Sequence, residues 1–306
     1  MSRGGPFVVV VGGVAERVGK STIANNLAVY LKALQEDLPV TLFSFSDSSN
    51  LDAMFALGET RAGTVAEFFA AGNLATVSRM GQFGVDYLSA QGPLPQVGDP
   101  ARLRRILALQ EQAGLIIIDS GSEMGDLWRN AVWAADLLLS PVGDAQSLSR
   151  LSIMRRTLLE GGGCEEMLWL LPSRIGEGAV SAPRVDSHQL LRFAADERGC
   201  QVLEQELSED QRIHLEASGK GRSVLTRLPG SYVHEELRQL AEFVLQKYAE
   251  GPVAECRTRR MLEDGLLPQR AHRVEPACPL CGKLAFGSRA HYLEALPKRH
   301  RSLLHA

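Results

Sequence analysis

The chain has 306 residues, 45% of them hydrophobic and 23% charged, the balance of a globular protein with one large domain or a domain plus an appendage. That excludes a fibrous, collagen-like or largely disordered protein, and no apolar run approaches the ~20 residues that span a bilayer. The net charge of −3 is unevenly spread. Positions 252–306 hold ten Lys/Arg against five Asp/Glu, so the first 251 residues carry −8 and the tail is basic. Positions 1–6 have one Arg and no small-residue cleavage site, so no signal peptide is predicted. Five cysteines are too few for a disulfide scaffold; they are expected to be reduced, which points to the cytoplasm.

In chain order, short and almost purely apolar runs at Phe7–Val11, 40–45, 84–88, 115–118, 137–139, 167–171 and 201–207 predict strands buried on both faces of a parallel sheet. Segments with helical spacing lie between and after them, at 21–35, 50–57, 64–71, 100–112, 126–135, 147–160, 186–198 and 232–248. In the last of these, Leu237, Leu240, Phe243, Val244 and Tyr248 form an apolar stripe suited to packing on the sheet. Pro229, Gly230 and a cap at Ser231 mark its start. The predicted fold is therefore α/β, a doubly wound, mostly parallel sheet flanked by helices. At Gly251 and Pro252 the last long helix stops and the charge changes sign. This predicts a main domain over 1–251 and a small extension over 252–306.

The first strand runs into Gly12-Gly-Val-Ala-Glu-Arg-Val-Gly-Lys-Ser-Thr22 and then into a predicted helix. Strand, glycine-bearing turn, Gly19-Lys20-Ser21 and helix are the context of a phosphate-cradling loop. Backbone amides in the turn point at the anion, and the helix dipole adds positive potential. The candidate phosphate-binding residues are Gly13, Val14, Ala15, Glu16, Arg17, Val18, Gly19, Lys20, Ser21 and Thr22. Lys20 is expected to reach the β and γ phosphates, and the Ser21 hydroxyl to take a position on Mg²⁺. The usual spacing puts a glycine at position 14, which is Val14 here. Its Cβ restricts positive φ, so the turn either stays in ordinary φ/ψ space or bulges. A second motif, Leu115-Ile-Ile-Ile-Asp-Ser-Gly121, places Asp119 at the carboxyl edge of the sheet, where ligands bind in open α/β folds. There it would hold Mg²⁺, directly or through a water. Taken alone, it would also serve as a cap for the helix near Asp126.

Together these residues resemble the ParA/MinD family of P-loop ATPases, which position plasmids, chromosomes, division sites and flagella. The likeness runs from about residue 7 to 248. Val18-Gly-Lys-Ser-Thr-Ile-Ala-Asn-Asn-Leu-Ala28 matches the family's loop and first helix, while Ile116-Ile-Ile-Asp-Ser-Gly-Ser122, Ala134-Ala-Asp136 and Leu139-Ser-Pro-Val142 match its Walker B region and next strand. Positions 207–225 resemble the family's late segment, which carries part of the base pocket. The resemblance implies ATP and Mg²⁺ as cofactors, an ATP-dependent homodimer, a protein partner, and Ser173 and Arg174 as contacts to adenine. The family's loop has a signature lysine followed by two glycines, reaching the partner's phosphates across the dimer; here those positions are Ala15, Glu16 and Arg17. Arg17 would replace the missing cation, or pair with Glu16 on the surface. Glu16 is expected to point away, because its charge near triphosphate costs roughly 1 kcal/mol even when solvated. The family also ends its second strand in Asp-x-Asp, whose first acid helps position the attacking water. Ser44-Phe-Ser46 stands here, with Asp47 one place later as the candidate catalytic acid beside Lys20. One residue of offset reverses side-chain direction in a strand, and a hydroxyl is no base at neutral pH. The expected function is an ATP-binding, slowly hydrolysing dimeric switch that positions or partitions a cellular cargo. The alternatives are a nucleotide-binding scaffold without turnover, or an iron–sulfur carrier ATPase of a related kind.

In the tail, Cys278-Pro-Leu-Cys281-Gly282 has the spacing of a metal knuckle, which implies Zn²⁺. The pair supplies two of four ligands. His300 and His305 are the candidates for the rest, with His291, His272, Cys256 or a second chain's Cys pair as alternatives. Residues five apart on an unbroken helix diverge by ~140°, so both histidines ligate only if that helix breaks. Two reduced thiols on a tail are the other reading. Related iron–sulfur ATPases carry their Cys-x-x-Cys inside the ATPase domain, whereas this one follows it. The run Lys298-Arg-His-Arg301 reads as solvated, or as a contact to nucleic acid or an anionic membrane surface.

Overall fold

The computed structural model describes residues 5–16, 18–46, 51–57, 63–111, 114–121, 123–143, 145–173, 193, 200–208, 210, 212–213 and 223–265. The chain divides into two compact units, Met1–Val253 and Ala254–Ala306.

The first unit begins β1 (Phe7–Val11), α1 (Lys20–Leu34), β2 (Val40–Ser44), α2 (Leu51–Phe55), β3 (Gly63–Thr64), α3 (Val65–Ala71), α4 (Leu74–Val77), β4 (Arg79–Met80) and β5 (Asp86–Ser89). It continues α5 (Arg102–Ala108), β6 (Leu115–Asp119), α6 (Asp126–Ala134), β7 (Leu137–Val142), α7 (Ala145–Ser149), α8 (Leu151–Glu160), β8 (Leu168–Pro172), β9 (Gln201–Val202), α9 (Val224–Arg227) and α10 (Tyr232–Glu250). In the second unit the described element is α11 (Ala254–Glu263).

Among the described residues, the strands form one sheet in the order β3-β5-β2-β6-β1-β7-β8-β9, with β4 attached to β5. Every pair is parallel except β4 with β5. The Val/Ile/Leu runs explain this: β1, β2, β6 and β7 are buried at every position, as strands covered on both faces must be. Alternation splits each strand between two cores. Phe7, Val9 and Val11 join Leu27, Leu31, Leu237, Leu240 and Val244 of α1 and α10, while Val8 and Val10 face the other way. The expected stripe on α10 faces this core: Phe243 and Tyr248 pack at its margin, Tyr248 edge-on to Phe7 at 5.9 Å between ring centres. Ser231 caps α10 by accepting from the His234 amide at 3.1 Å. On α3, Thr64 and Glu67 form a reciprocal capping box.

The structure corrects three expectations. The predicted helix 147–160 is two helices, broken at Arg150, whose backbone sits at φ −87°, ψ −5°. The predicted strand 201–207 keeps pairing at its ends alone: β9 has two residues, and Leu207 bridges to Ser173. Of the cysteines, Cys200 is buried and Cys164 is disulfide-bonded, so the expected fully reduced set does not hold. The short edge strands β3 and β4 and the helices α4 and α9 had no counterpart in the predicted elements. The predicted helix 186–198 lies outside the described residues, Phe193 apart. Among the described residues, no helix is long and apolar enough to cross a membrane.

Candidate functional site

The site grows from the carboxyl ends of the central strands. In register, Asp119 on β6 sits opposite Val11 of β1 on one side and Ser44 of β2 on the other. The chain leaves β1 through Gly12, whose amide donates to Leu139 O at 2.9 Å and ties the start of the loop to β7. A Cβ at Gly12 would meet Ser120 Oγ at 3.0 Å and Val10 at 3.3 Å, so either neighbour would have to give by a few tenths of an ångström to admit a side chain there. At Gly13 a Cβ would meet nothing nearer than 3.8 Å. The loop ends at Gly19, which has φ 81° and begins α1 without a side-chain cap. Among the described residues the sole non-glycine with positive φ is Phe83, so Val14, Ala15, Glu16 and Val18 all stay in ordinary backbone space. Among the loop's described residues, Gly19 alone takes the left-handed conformation, and the turn forms without glycine at position 14.

Side chains from three directions pin the loop's carbonyls. Arg150 donates to Val14 O at 3.0 Å, Lys20 Nζ donates to Ala15 O, and Ser173 Oγ donates to Val18 O at 3.4 Å. By contrast, the backbone amides at positions 13–16 and 18–22 find no acceptor among the described residues. Polar backbone groups normally find partners, so a run of amides without acceptors at a helix start reads as an anion site. Val14, Ala15 and Val18 are buried, while Glu16 is exposed, which keeps its carboxylate out of the cup.

Two charged groups lie under this loop. Lys20 is 6% exposed and Asp119 is completely buried. Burial pushes the Lys20 ammonium below its ordinary pKa, with Asp119 and then Glu16 pulling it partly back. Burial likewise pushes the Asp119 carboxyl up, against opposing help from the Ser21 hydroxyl, the Gly121 amide and Lys20. These neighbours are close enough to favour the carboxylate yet outside hydrogen-bonding geometry: among the described residues, neither Asp119 oxygen has a hydrogen-bond partner. A buried carboxylate with both oxygens unsatisfied, beside a serine hydroxyl at the start of α1, is the hard-oxygen donor set that suits Mg²⁺.

Ser44 is fully buried, and its hydroxyl is used locally. It donates to Ser46 O at 3.0 Å and accepts from Ser46 N at 3.2 Å, closing a turn at the end of β2. The predicted adenine contact Ser173 is buried with its hydroxyl on the loop. Arg17, Asp47 and Arg174, and the metal candidates Cys278, Cys281, His300 and His305, lie outside the described residues. Among the described residues, no group of three or more His, Cys, Asp or Glu is arranged to hold a metal. Arg150 was not among the predicted site residues. The only signal available was a helix break that the periodicity of 147–160 conceals.

No protein-family model matches the chain, and no curated protein matches it by sequence. Solved structures do. A ParA family ATPase from Chlorobium tepidum is 19% identical, covering 78% of this chain and 99% of its own, with a TM-score of 0.57. The septum site-determining protein MinD of Pyrococcus horikoshii, solved with Mg-ADP, is 18% identical over 78% of this chain and 96% of its own, with a TM-score of 0.61. An aspartate-to-alanine variant of McdA from Cyanothece, solved with ATP, is 19% identical over 80% and 98%, with a TM-score of 0.60. What the chain shares with these proteins is the architecture: a mostly parallel sheet flanked by helices, the ParA/MinD type of P-loop fold.

Proposed function

We propose that the chain is an ATP-binding, slowly hydrolysing switch of the ParA/MinD type, which pairs with a second copy in the presence of ATP. It would use a protein partner to position or partition a cellular cargo. The observation that carries this reading is the loop: among the described residues, amides without acceptors at 13–16 and 18–22 lie over a buried Lys20 and an Asp119 without a hydrogen-bond partner. Lys20 and the amides would bind the β and γ phosphates, and Gly19 would set the turn that aims them. Ser21 and Asp119 would hold Mg²⁺, which supplies charge neutralisation during transfer of the γ-phosphoryl group to water. Structural neighbours solved with Mg-ADP and with ATP support the choice of ligand. Arg17 would add a cation near the phosphates, and Ser173 with Arg174 would border the base. The same reading extends to the cytoplasm as location and to Zn²⁺ on Cys278 and Cys281, completed by His300 and His305. Calorimetric titration with ADP and with ATP–Mg²⁺ tests it: saturable heat that Lys20→Ala abolishes is expected, and no heat at millimolar nucleotide would overturn it.

A second reading is a nucleotide-binding scaffold without turnover. Ser44 favours it, because a buried hydroxyl engaged with Ser46 cannot orient or deprotonate a water. Steady phosphate release that Lys20→Ala abolishes would exclude this scaffold; ATP binding with no release would establish it.

A further inference from the structure

Arg150 breaks two local rules at once. It occupies the N-cap of α8 yet makes no capping hydrogen bond, and it puts a cation at the positive end of a helix dipole. It also interrupts what the apolar spacing writes as one helix. A residue that opposes its local structure in this way is expected to be compensated elsewhere. Here the compensation is a single contact 136 positions away in sequence: its guanidinium donates to the carbonyl of Val14 at 3.0 Å. Its other guanidinium nitrogens make no hydrogen bond among the described residues. Behind the loop, Gly13, Val14 and Ala15 line a cleft together with Ser140, Leu151, Met154 and Arg150, so the guanidinium is the one charged group among small and apolar ones in that lining.

The geometry points to Arg150 as a positioning residue for the phosphate loop. A trans peptide holds its C=O and the following N–H on opposite sides. Fixing the Val14 carbonyl therefore fixes the direction of the Ala15 amide. A glycine-rich loop can turn through left-handed backbone conformations to aim its amides; Val14 and Glu16 stand where such a loop has glycine and keep to ordinary φ/ψ space, so a contact that holds a carbonyl in place sets the direction instead. Arg150 and Lys20 take the carbonyls of two consecutive residues, Val14 and Ala15. Charge-assisted bonds of this kind are about twice as strong as neutral ones, enough to select one backbone arrangement. Arg150 thus acts through the loop rather than on the nucleotide, and it sets affinity for any ligand whose phosphates occupy the cup.

The inference rests on the reading that this loop binds nucleotide. Its test uses the full chain and two probes, ADP and ATP–Mg²⁺, titrated by calorimetry, with the melting temperature of the nucleotide-free protein measured alongside. Arg150→Met fills the same space without a donor, and it is expected to weaken both nucleotides about tenfold, the loss of one hydrogen bond from a charged group. Arg150→Lys, which retains a donor, should recover most of that affinity. Arg156→Ala, an exposed residue of α8 paired with Glu160, should bind as the unaltered chain does. Rescue by lysine with equal losses for ADP and ATP supports positioning. Unchanged affinity in Arg150→Met overturns it, and so does a loss confined to ATP, which would put the guanidinium on the γ-phosphate itself. If the unaltered chain binds neither nucleotide, the functional reading falls first, and that result is distinct from a failure of Arg150 alone.

Discussion

Asp119 is the residue at which stability and proposed function pull in opposite directions. Burial raises its pKa in the folded chain above the unfolded value of about 3.9. A raised folded pKa means that the group's favourable contribution is complete below the unfolded pKa and is lost as pH rises through the folded one. Wherever the carboxyl is ionised in the folded chain it is therefore a net cost, and the attraction of Lys20 is already included in that balance. Asp119→Asn should stabilise the nucleotide-free chain by on the order of 1–3 kcal/mol, read as a higher melting temperature, because it removes a buried charge without a hydrogen-bond partner among the described residues. The gain should be greatest above the folded pKa and vanish in acid, where the native carboxyl is protonated. The same variant should lose Mg²⁺-dependent ATP affinity, so thermal melting and calorimetry would move in opposite senses. A lower melting temperature in Asp119→Asn would show that the carboxylate is structurally satisfied instead. The places of Gly19, Lys20 and Asp119 in the fold were legible in the sequence because strand–turn–helix punctuation sets them, whereas the tight packing at Gly12 was not. The use of the Ser44 hydroxyl was not legible, since it depends on a turn two residues long at the end of β2.

At the scale of elements, the strands β1, β2, β6 and β7 and the helices α1 and α10 could be read directly, because nothing but a doubly covered sheet explains such continuous apolar runs. Leu240 shows what those helices contribute: it is fully buried between α10, α1 and the sheet. Leu240→Ala should cost about 2–5 kcal/mol, read as a lower midpoint in denaturant. Smaller local features carry smaller terms. Thr64→Ala removes the Thr64 hydroxyl that accepts from the Glu67 amide and should cost about 1 kcal/mol, while the backbone amide at position 64 can still donate to the Glu67 carboxylate. The edge of the sheet was illegible for a physical reason: β3 and β4 have two residues each, too few for any period to register. The break between α7 and α8 was hidden differently. Leu148, Leu151, Met154 and Leu158 keep helical spacing straight through it, so the interruption is decided by the tertiary contact of Arg150 and not by local preference.

For the whole molecule, the proposed ATP-dependent pairing must overcome charge. The first 251 residues carry −8, and each bound triphosphate would add to that negative field. A signature lysine would offset it across the interface, but position 15 is alanine. Lys20 is buried under its own loop and Arg150 is held on Val14, so neither extends to a second copy as arranged here. Repulsion between like-charged bodies is screened over ~10 Å at 0.1 M salt and over ~30 Å at 0.01 M. The association should therefore strengthen as salt rises from about 0.01 M to about 0.1 M, the reverse of a pairing held by lysine–phosphate bridges. Size-exclusion chromatography with light scattering, run with ATP–Mg²⁺ across that range, should show the mass moving from one chain toward two as screening increases. A dimer that forms at low salt and dissociates as salt is added would mean that cations of each copy reach the other's phosphates after all, with Arg17 the first residue to replace by alanine.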